Sequence, residues 1–248
     1  MLHAGASSAK QWNKIATLLE TRYRIIAPDL WGFGATSAWS DSRQLAHDDQ
    51  ARLVEAVVDT AVRGPIHVVG HSYGGATAVR YALMRIPHVL SLTLSEPILM
   101  NLLKQPPHQH LFAEYYEVAT AFLKSATEGV PELGWQRFLD YRNGPGTWAK
   151  LSEEAKARFI ATTQDAVRGW GSNLDNPTSL TDLRGISVRT LVLRGEKTTL
   201  PDRKVTEVIR DAVPDCTYEV IPGAEHMSPL THPVLVAAAI ERNVHGAP

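Results

Sequence analysis

Short runs of β-branched and aliphatic residues alternate along this chain with longer segments whose apolar positions recur every three to four residues. The runs are Tyr23–Pro28, Ile66–Gly70, Val89–Ser95, Val188–Arg194 and Thr217–Ile221. Most are near-continuously apolar rather than alternating, which predicts parallel strands covered on both faces. The longer segments predict helices over Lys10–Glu20, Arg43–Ala61, Gly74–Arg85, Pro201–Val213 and Pro233–Asn243. Strand and helix in turn describe an α/β fold, a doubly wound and mostly parallel sheet with right-handed crossovers.

The stretch 99–180 breaks that rhythm. It predicts helices around Gln109–Ala126, Pro131–Tyr141 and Ser152–Gly169, and no strand. It is also dense in aromatics: Phe112, Tyr115, Tyr116, Phe122, Trp135, Phe138, Tyr141, Trp148, Phe159 and Trp170. An all-helical insertion between parallel strands is expected to stand as a cap over the carboxyl edge of the sheet, where such sheets bind ligands. The core is then 1–98 with 181–248. Most of the aromatics are expected to fill the cap's own interior, and Asn143-Gly144-Pro145-Gly146 is expected to be a turn that could serve as its hinge.

Composition narrows the function classes. At 248 residues the chain suits one α/β domain plus a small insertion. A formal net charge of −1, without charge blocks, gives no footprint for nucleic acid or an anionic membrane. The single cysteine, Cys216, rules out an internal disulfide and suits a reducing compartment, with packing as its expected role. Met1-Leu2-His3-Ala4-Gly5 lacks the basic start and apolar core of a signal peptide, and no apolar run approaches the ~20 residues that span a bilayer. A cytoplasmic setting is expected.

The candidate chemistry begins at Ile66-His67-Val68-Val69-Gly70-His71-Ser72-Tyr73-Gly74-Gly75. A β-branched run breaks into Gly-x-Ser-x-Gly and continues into a helical pattern, the strand–turn–helix context of a nucleophile elbow. Such a turn holds its serine in a strained backbone and presents Oγ beside a helix N-terminus. Ser72 is therefore the candidate nucleophile.

A serine hydroxyl needs a base, an orienting acid and an oxyanion site. His226, on the Gly-containing loop Pro222-Gly223-Ala224-Glu225-His226 after the last run, is the candidate base. His67 lies within a strand and His232 at a helix start before Pro233. His71 flanks the serine, as a packing residue or part of the pocket wall. Two carboxylates compete for the role of acid. Glu96 ends the apolar run Ser91-Leu92-Thr93-Leu94-Ser95-Glu96-Pro97, where an unpaired buried charge would be costly. Asp202 follows Pro201 at a helix start, where capping also explains it. Glu96 is favoured and Asp202 remains the alternative.

Taken together, Leu2-His3-Ala4-Gly5 with Trp12, Ala27-Pro28-Asp29-Leu30-Trp31-Gly32-Phe33-Gly34, the elbow and the His226 loop resemble the α/β-hydrolase family, in particular small serine esterases with a helical cap. The resemblance brackets nearly the whole chain. It implies an oxyanion hole made by the N–H groups of Gly5 and Tyr73, although Ala4 stands where relatives carry glycine. It implies a structural role for Asp29 and leaves Trp31 and Phe33 as candidate pocket residues. Relatives usually carry an aspartate three residues after the glycine that closes the penultimate strand. Thr198 stands there in this chain, which is what moves the expected acid to Glu96. Relatives also have two strands and most of a third before the Leu2–Gly5 loop, so the resemblance implies either a reading frame that starts upstream of Met1 or a truncated relative.

The function expected is cleavage of a small, largely apolar ester, thioester or lactone through a Ser-His-Glu triad, without cofactor or metal. C–C bond hydrolysis and cofactor-free perhydrolysis use the same residues and stay open. So does a non-catalytic relative that binds a small ligand. A serine at the elbow disfavours haloalkane dehalogenase and epoxide hydrolase, whose nucleophile is aspartate.

Overall fold

The computed structural model describes residues 1–246. Four parallel strands, β1 (Ile66–His71), β2 (Val89–Ser95), β3 (Arg189–Gly195) and β4 (Cys216–Ile221), lie side by side in chain order. The helices, in chain order, are α1 (Asn13–Leu19), α2 (His47–Ala61), α3 (Tyr73–Arg85), α4 (Gln109–Thr127), α5 (Pro131–Asn143), α6 (Glu153–Ala161), α7 (Thr163–Leu174), α8 (Leu180–Arg184), α9 (Leu200–Ala212), α10 (Ser228–Thr231) and α11 (Pro233–His245).

The near-continuous apolar runs follow from burial on both faces. Along β3, Leu191 and Leu193 face a core shared with Trp12, Ile15, Val236 and Ile240 of the N-terminal turn, α1 and α11. Val192 between them points the other way, into the core built with α2, α3 and α9. Adjacent side chains on a strand leave opposite faces, so a sheet covered twice needs apolar residues at both parities. Asn243 ties α11 to the sheet, donating to Leu92 O at 3.0 Å and Thr93 Oγ1 at 2.9 Å.

Three predicted elements differ. Tyr23–Pro28 forms no strand. Between it and β1 lies only Met1–His3, which contributes a single bridge (Leu2 to Gly70) and one bond from the Met1 amine to Ile26 O, too little to build a ladder. The helix predicted from Arg43 begins at His47. Arg43 instead folds back to bond both carboxylate oxygens of Asp49 at 2.6 Å, and Asp49 also accepts from the Ala46 N–H at the helix start. The helix predicted from Lys10 opens as a 3₁₀ turn, Ala9–Trp12, before α1.

Between β2 and β3 every described element is helical. Phe122 lies edge-on to Trp135 at 4.8 Å, and Phe138, Phe159 and Trp170 join the same cluster. Trp135, almost wholly buried, donates to Thr163 Oγ1 and so fastens α5 to α7. The turn expected at 143–146 ends α5, with Gly144 and Gly146 both at positive φ. Cys216 is half-buried and burial pushes its thiol up to about 12, in keeping with a packing role. Among the described residues no helix is long and apolar enough to cross a membrane.

Candidate active site

The turn from β1 into α3 places Ser72 at φ +55°, ψ −117°, outside the regions open to an ordinary L-residue. Neighbouring backbone over-determines that geometry: Ser72 N donates to Ser95 O, while Ser72 O accepts from Gly75, Ala76 and Ile98. Close approach explains two of the glycines. A Cβ at Gly70 would lie 2.7 Å from the Ala78 Cβ, and one at Gly74 would run into the carbonyls of Leu2 and His3.

Two sequence-distant groups line up behind this serine. His226 Nε2 lies 2.9 Å from Ser72 Oγ, and its Nδ1 lies 2.6 Å from Glu96 Oε2. All three residues are buried. Glu96, itself at φ +42°, is held where β2 ends beside β3: Oε1 accepts from Gly195 N at 2.6 Å and Oε2 from Thr198 Oγ1 at 2.7 Å. Thr198, at the position where relatives carry an aspartate, thus donates a hydrogen bond to the Glu96 carboxylate. Burial raises the Glu96 carboxyl above the ordinary range, opposed by these donors.

A residue with no local sequence signature completes the cluster. Arg142, from the last turn of α5, is paired with Asp202 at the start of α9, and its Nη2 lies 3.1 Å from His226 Nε2. An arginine only donates, so Nε2 carries the lone pair and Nδ1 the proton given to Glu96. That is the tautomer a base needs. Burial, followed by the adjacent Arg142 cation, pushes His226 down to about 3, which keeps it neutral in the resting site. Asp202, the alternative acid, faces Arg142 and Thr199 Oγ1 rather than the imidazole.

The remaining candidates separate into two groups. Gly5, Tyr73 and Phe33 line a cavity of about 420 Å³ that opens onto Ser72 and His226. Gly5 sits against the start of α3, where a Cβ on it would lie 3.6 Å from Tyr73 Cβ. Ala4, in place of the relatives' glycine, has no positive φ and is anchored through its N–H to Gln11 Oε1, so the position needs no glycine for its backbone. Left-handed backbone falls instead on Ala6, at φ +54°.

Trp31 and His71 do not line the cavity. Trp31 turns outward against Trp39, its backbone held by Gln50. His71 is fully buried behind His226, donating from Nε2 to His226 O at 3.0 Å and thereby steadying that loop. Asp29 accepts from Ala9 N and Ala35 N, as a turn-shaping residue should. His67 bonds Ser91 Oγ within the sheet, and His232 bonds Thr231 Oγ1.

The cap's aromatics have two faces. Tyr115, Trp135, Phe138, Phe159 and Trp170 pack on one another and also wall the cavity. Tyr73 joins cap to core by its hydroxyl, 3.0 Å from Ser172 Oγ and 3.2 Å from Gln50 Nε2. Glu96, Asp202 and His226 are the one group of metal-ligand type among the described residues, with ligand atoms within 4.8 Å of one another. The Arg142 guanidinium bonds two of its three members and already supplies positive charge there. This donor set does not suit a cation.

Comparison with known proteins gives a consistent result. The model of the alpha/beta hydrolase family matches residues 1–239. The chain is 24% identical over 237 residues to the 2-hydroxy-6-oxo-6-(2'-aminophenyl)hexa-2,4-dienoic acid hydrolase of Metapseudomonas resinovorans, covering 93% of this chain and 77% of that one. It is 24% identical to the pimeloyl-[acyl-carrier protein] methyl ester esterase of Nitrosomonas europaea, covering 94% of this chain and 90% of that one. Among solved structures it superposes on an alpha/beta hydrolase enzyme from a Medee basin deep-sea metagenome library with a TM-score of 0.84, at 16% identity, covering 100% of this chain and 88% of that one.

Proposed function

The chain belongs to the alpha/beta hydrolase family, and we propose that it is a serine hydrolase cleaving small, largely apolar esters, thioesters or lactones through an acyl-enzyme. The unbroken chain from Ser72 Oγ through the His226 imidazole to Glu96 carries this reading, at 2.9 and 2.6 Å. Ser72 donates its proton to His226 Nε2 as Oγ attacks the carbonyl carbon. Glu96 holds Nδ1–H and stabilises the imidazolium that forms. The N–H groups of Gly5 and Tyr73 receive the developing oxyanion, a contribution worth about 10²–10³ in rate for each donor. His226 then returns the proton to the leaving oxygen or sulfur. Water, activated by the same imidazole, releases the acyl group.

Helices α4–α7 act as the cap that shapes the acyl pocket. The aromatic lining favours an apolar acyl or alcohol portion, and the cavity falls in the usual size range for small-molecule sites. One relative is a pimeloyl-[acyl-carrier protein] methyl ester esterase, in keeping with ester chemistry on this framework.

Labelling with a fluorophosphonate tests the reading. Covalent modification of the wild type at neutral pH, lost in Ser72→Ala, is the expected result. Folded wild-type protein that stays unlabelled overturns it.

A further inference from the structure

Arg142 is the one Lys or Arg side chain among the described residues that line the cavity. It is 2% exposed, in a wall otherwise made largely of aromatic and aliphatic groups. Its Nη1 is taken by Asp202, which Thr199 Oγ1 holds in turn. The opposite edge is poorly served: Nη2 donates to the neutral Nε2 of His226, and Nε has no partner at all. An unmet buried donor on a cation is costly. Two adjacent donors on one guanidinium edge match the two oxygens of a carboxylate. Of the carboxylates nearby, Glu96 is engaged with Gly195, Thr198 and His226, Asp202 bonds Nη1 through Oδ2 and leaves Oδ1 without a partner, and the half-buried Glu225 lines the cavity without a hydrogen bond to Arg142.

Catalysis sharpens the mismatch. When Nε2 takes the serine proton it becomes a donor, and Nη2 then faces an N–H where it had a lone pair. Arg142 has to release the base during acylation, and it needs somewhere to place its charge.

We propose that the substrate supplies that place: a carboxylate on the same molecule as the scissile bond binds the Nε–Nη2 edge of Arg142, so the preferred substrates are acid-esters rather than neutral esters. The inference rests on the hydrolase reading above. Arg142 then determines specificity and releases the base more readily when an acidic substrate is seated, while neutral reagents still reach Ser72 at a lower rate.

The test compares kcat/KM for the mono-4-nitrophenyl esters of succinate, glutarate and adipate with the 4-nitrophenyl esters of butanoate, pentanoate and hexanoate. At least one acid-ester should exceed its neutral counterpart by about tenfold or more, the scale of one charge-assisted hydrogen bond. In Arg142→Met that ratio should fall to about 1, and Arg142→Lys should keep part of it. Because Arg142→Met strands Asp202, Arg142→Met/Asp202→Leu removes both charges and should show the same collapse. The ratio compares two substrates on one enzyme, so a loss of folded protein cancels. Neutral esters turned over as well as every acid-ester, or a preference that survives both methionine variants, overturns the proposal and leaves the hydrolase reading standing. If fluorophosphonate labelling fails, the hydrolase reading falls by itself, and calorimetry with glutarate decides the carboxylate site. Saturable binding lost in the double variant supports it; no binding overturns it.

Discussion

Residue by residue, the arrangement around Glu96 separates the two carboxylates that the sequence leaves in competition. Glu96 accepts from His226 Nδ1, whereas Asp202 is spent on Arg142 and Thr199. Glu96→Gln keeps the shape but can present an amide donor to the imidazole and so favour the wrong tautomer, an effect that reaches about 10⁴ in comparable triads. We expect Glu96→Gln to lower kcat on a 4-nitrophenyl ester by about 10³–10⁴, and Asp202→Asn to lower it far less, measured on folded protein. Equal or reversed losses would reassign the acid. The three candidates Ser72, His226 and Glu96, which the fold brings together, were legible because each follows the carboxyl end of a strand, where parallel sheets display their chemistry. Arg142 was not, since a single arginine in a helix pattern reads as a solvated charge. Its partners lie 60 and 84 residues away along the chain, and nothing local signals them.

At the level of elements, periodicity located all four ladder strands and the helices around them, because burial on both faces of a parallel sheet leaves a direct mark on composition. It failed at Tyr23–Pro28, where an apolar run has the residues of a strand and no neighbour to pair with. The cap's aromatics were read as an interior, and they are also a wall. Trp135 shows why the two roles coincide: it packs against Phe122, Phe138 and Phe159, bonds Thr163 and lines the cavity. Trp135→Ala should destabilise the protein by about 3–5 kcal/mol, through lost burial and the void left behind. Denaturant unfolding checks this, and a change below about 1 kcal/mol would mean that the cap carries little of the molecule's stability.

For the whole molecule, several histidines besides His226 are enclosed as neutral groups, His3 and His47 against the start of α3 and His71 next to Ser72. Burial pushes His3 and His47 down to about 4 and His71 down to about 3. In the unfolded chain each returns to the ordinary value near 6.5. Below that pH the unfolded state binds more protons than the native one, so stability is intact above about 6.5 and falls as the pH drops toward 4. With His226, which burial pushes down to about 3, four such groups give a slope of up to roughly 5 kcal/mol per pH unit. Denaturant midpoints at pH 7, 6 and 5 should decline steeply, and His47→Gln should flatten the decline by about one proton. Equal midpoints across that range would contradict the neutral burial.

The contact between Thr198 and Glu96 also bears on descent. The ends of β2 and β3 are neighbours, so an acid on either can reach one imidazole, yet the two positions lie within a hydrogen bond of each other. A lineage that gained aspartate at 198 while keeping Glu96 would hold two carboxylates competing for one proton. One that lost Glu96 first would have no acid. With Glu96 as the acid, as proposed, an aspartate gained at 198 would compete with it for the same proton, and Thr198→Asp is therefore expected to lower activity rather than supply a spare acid.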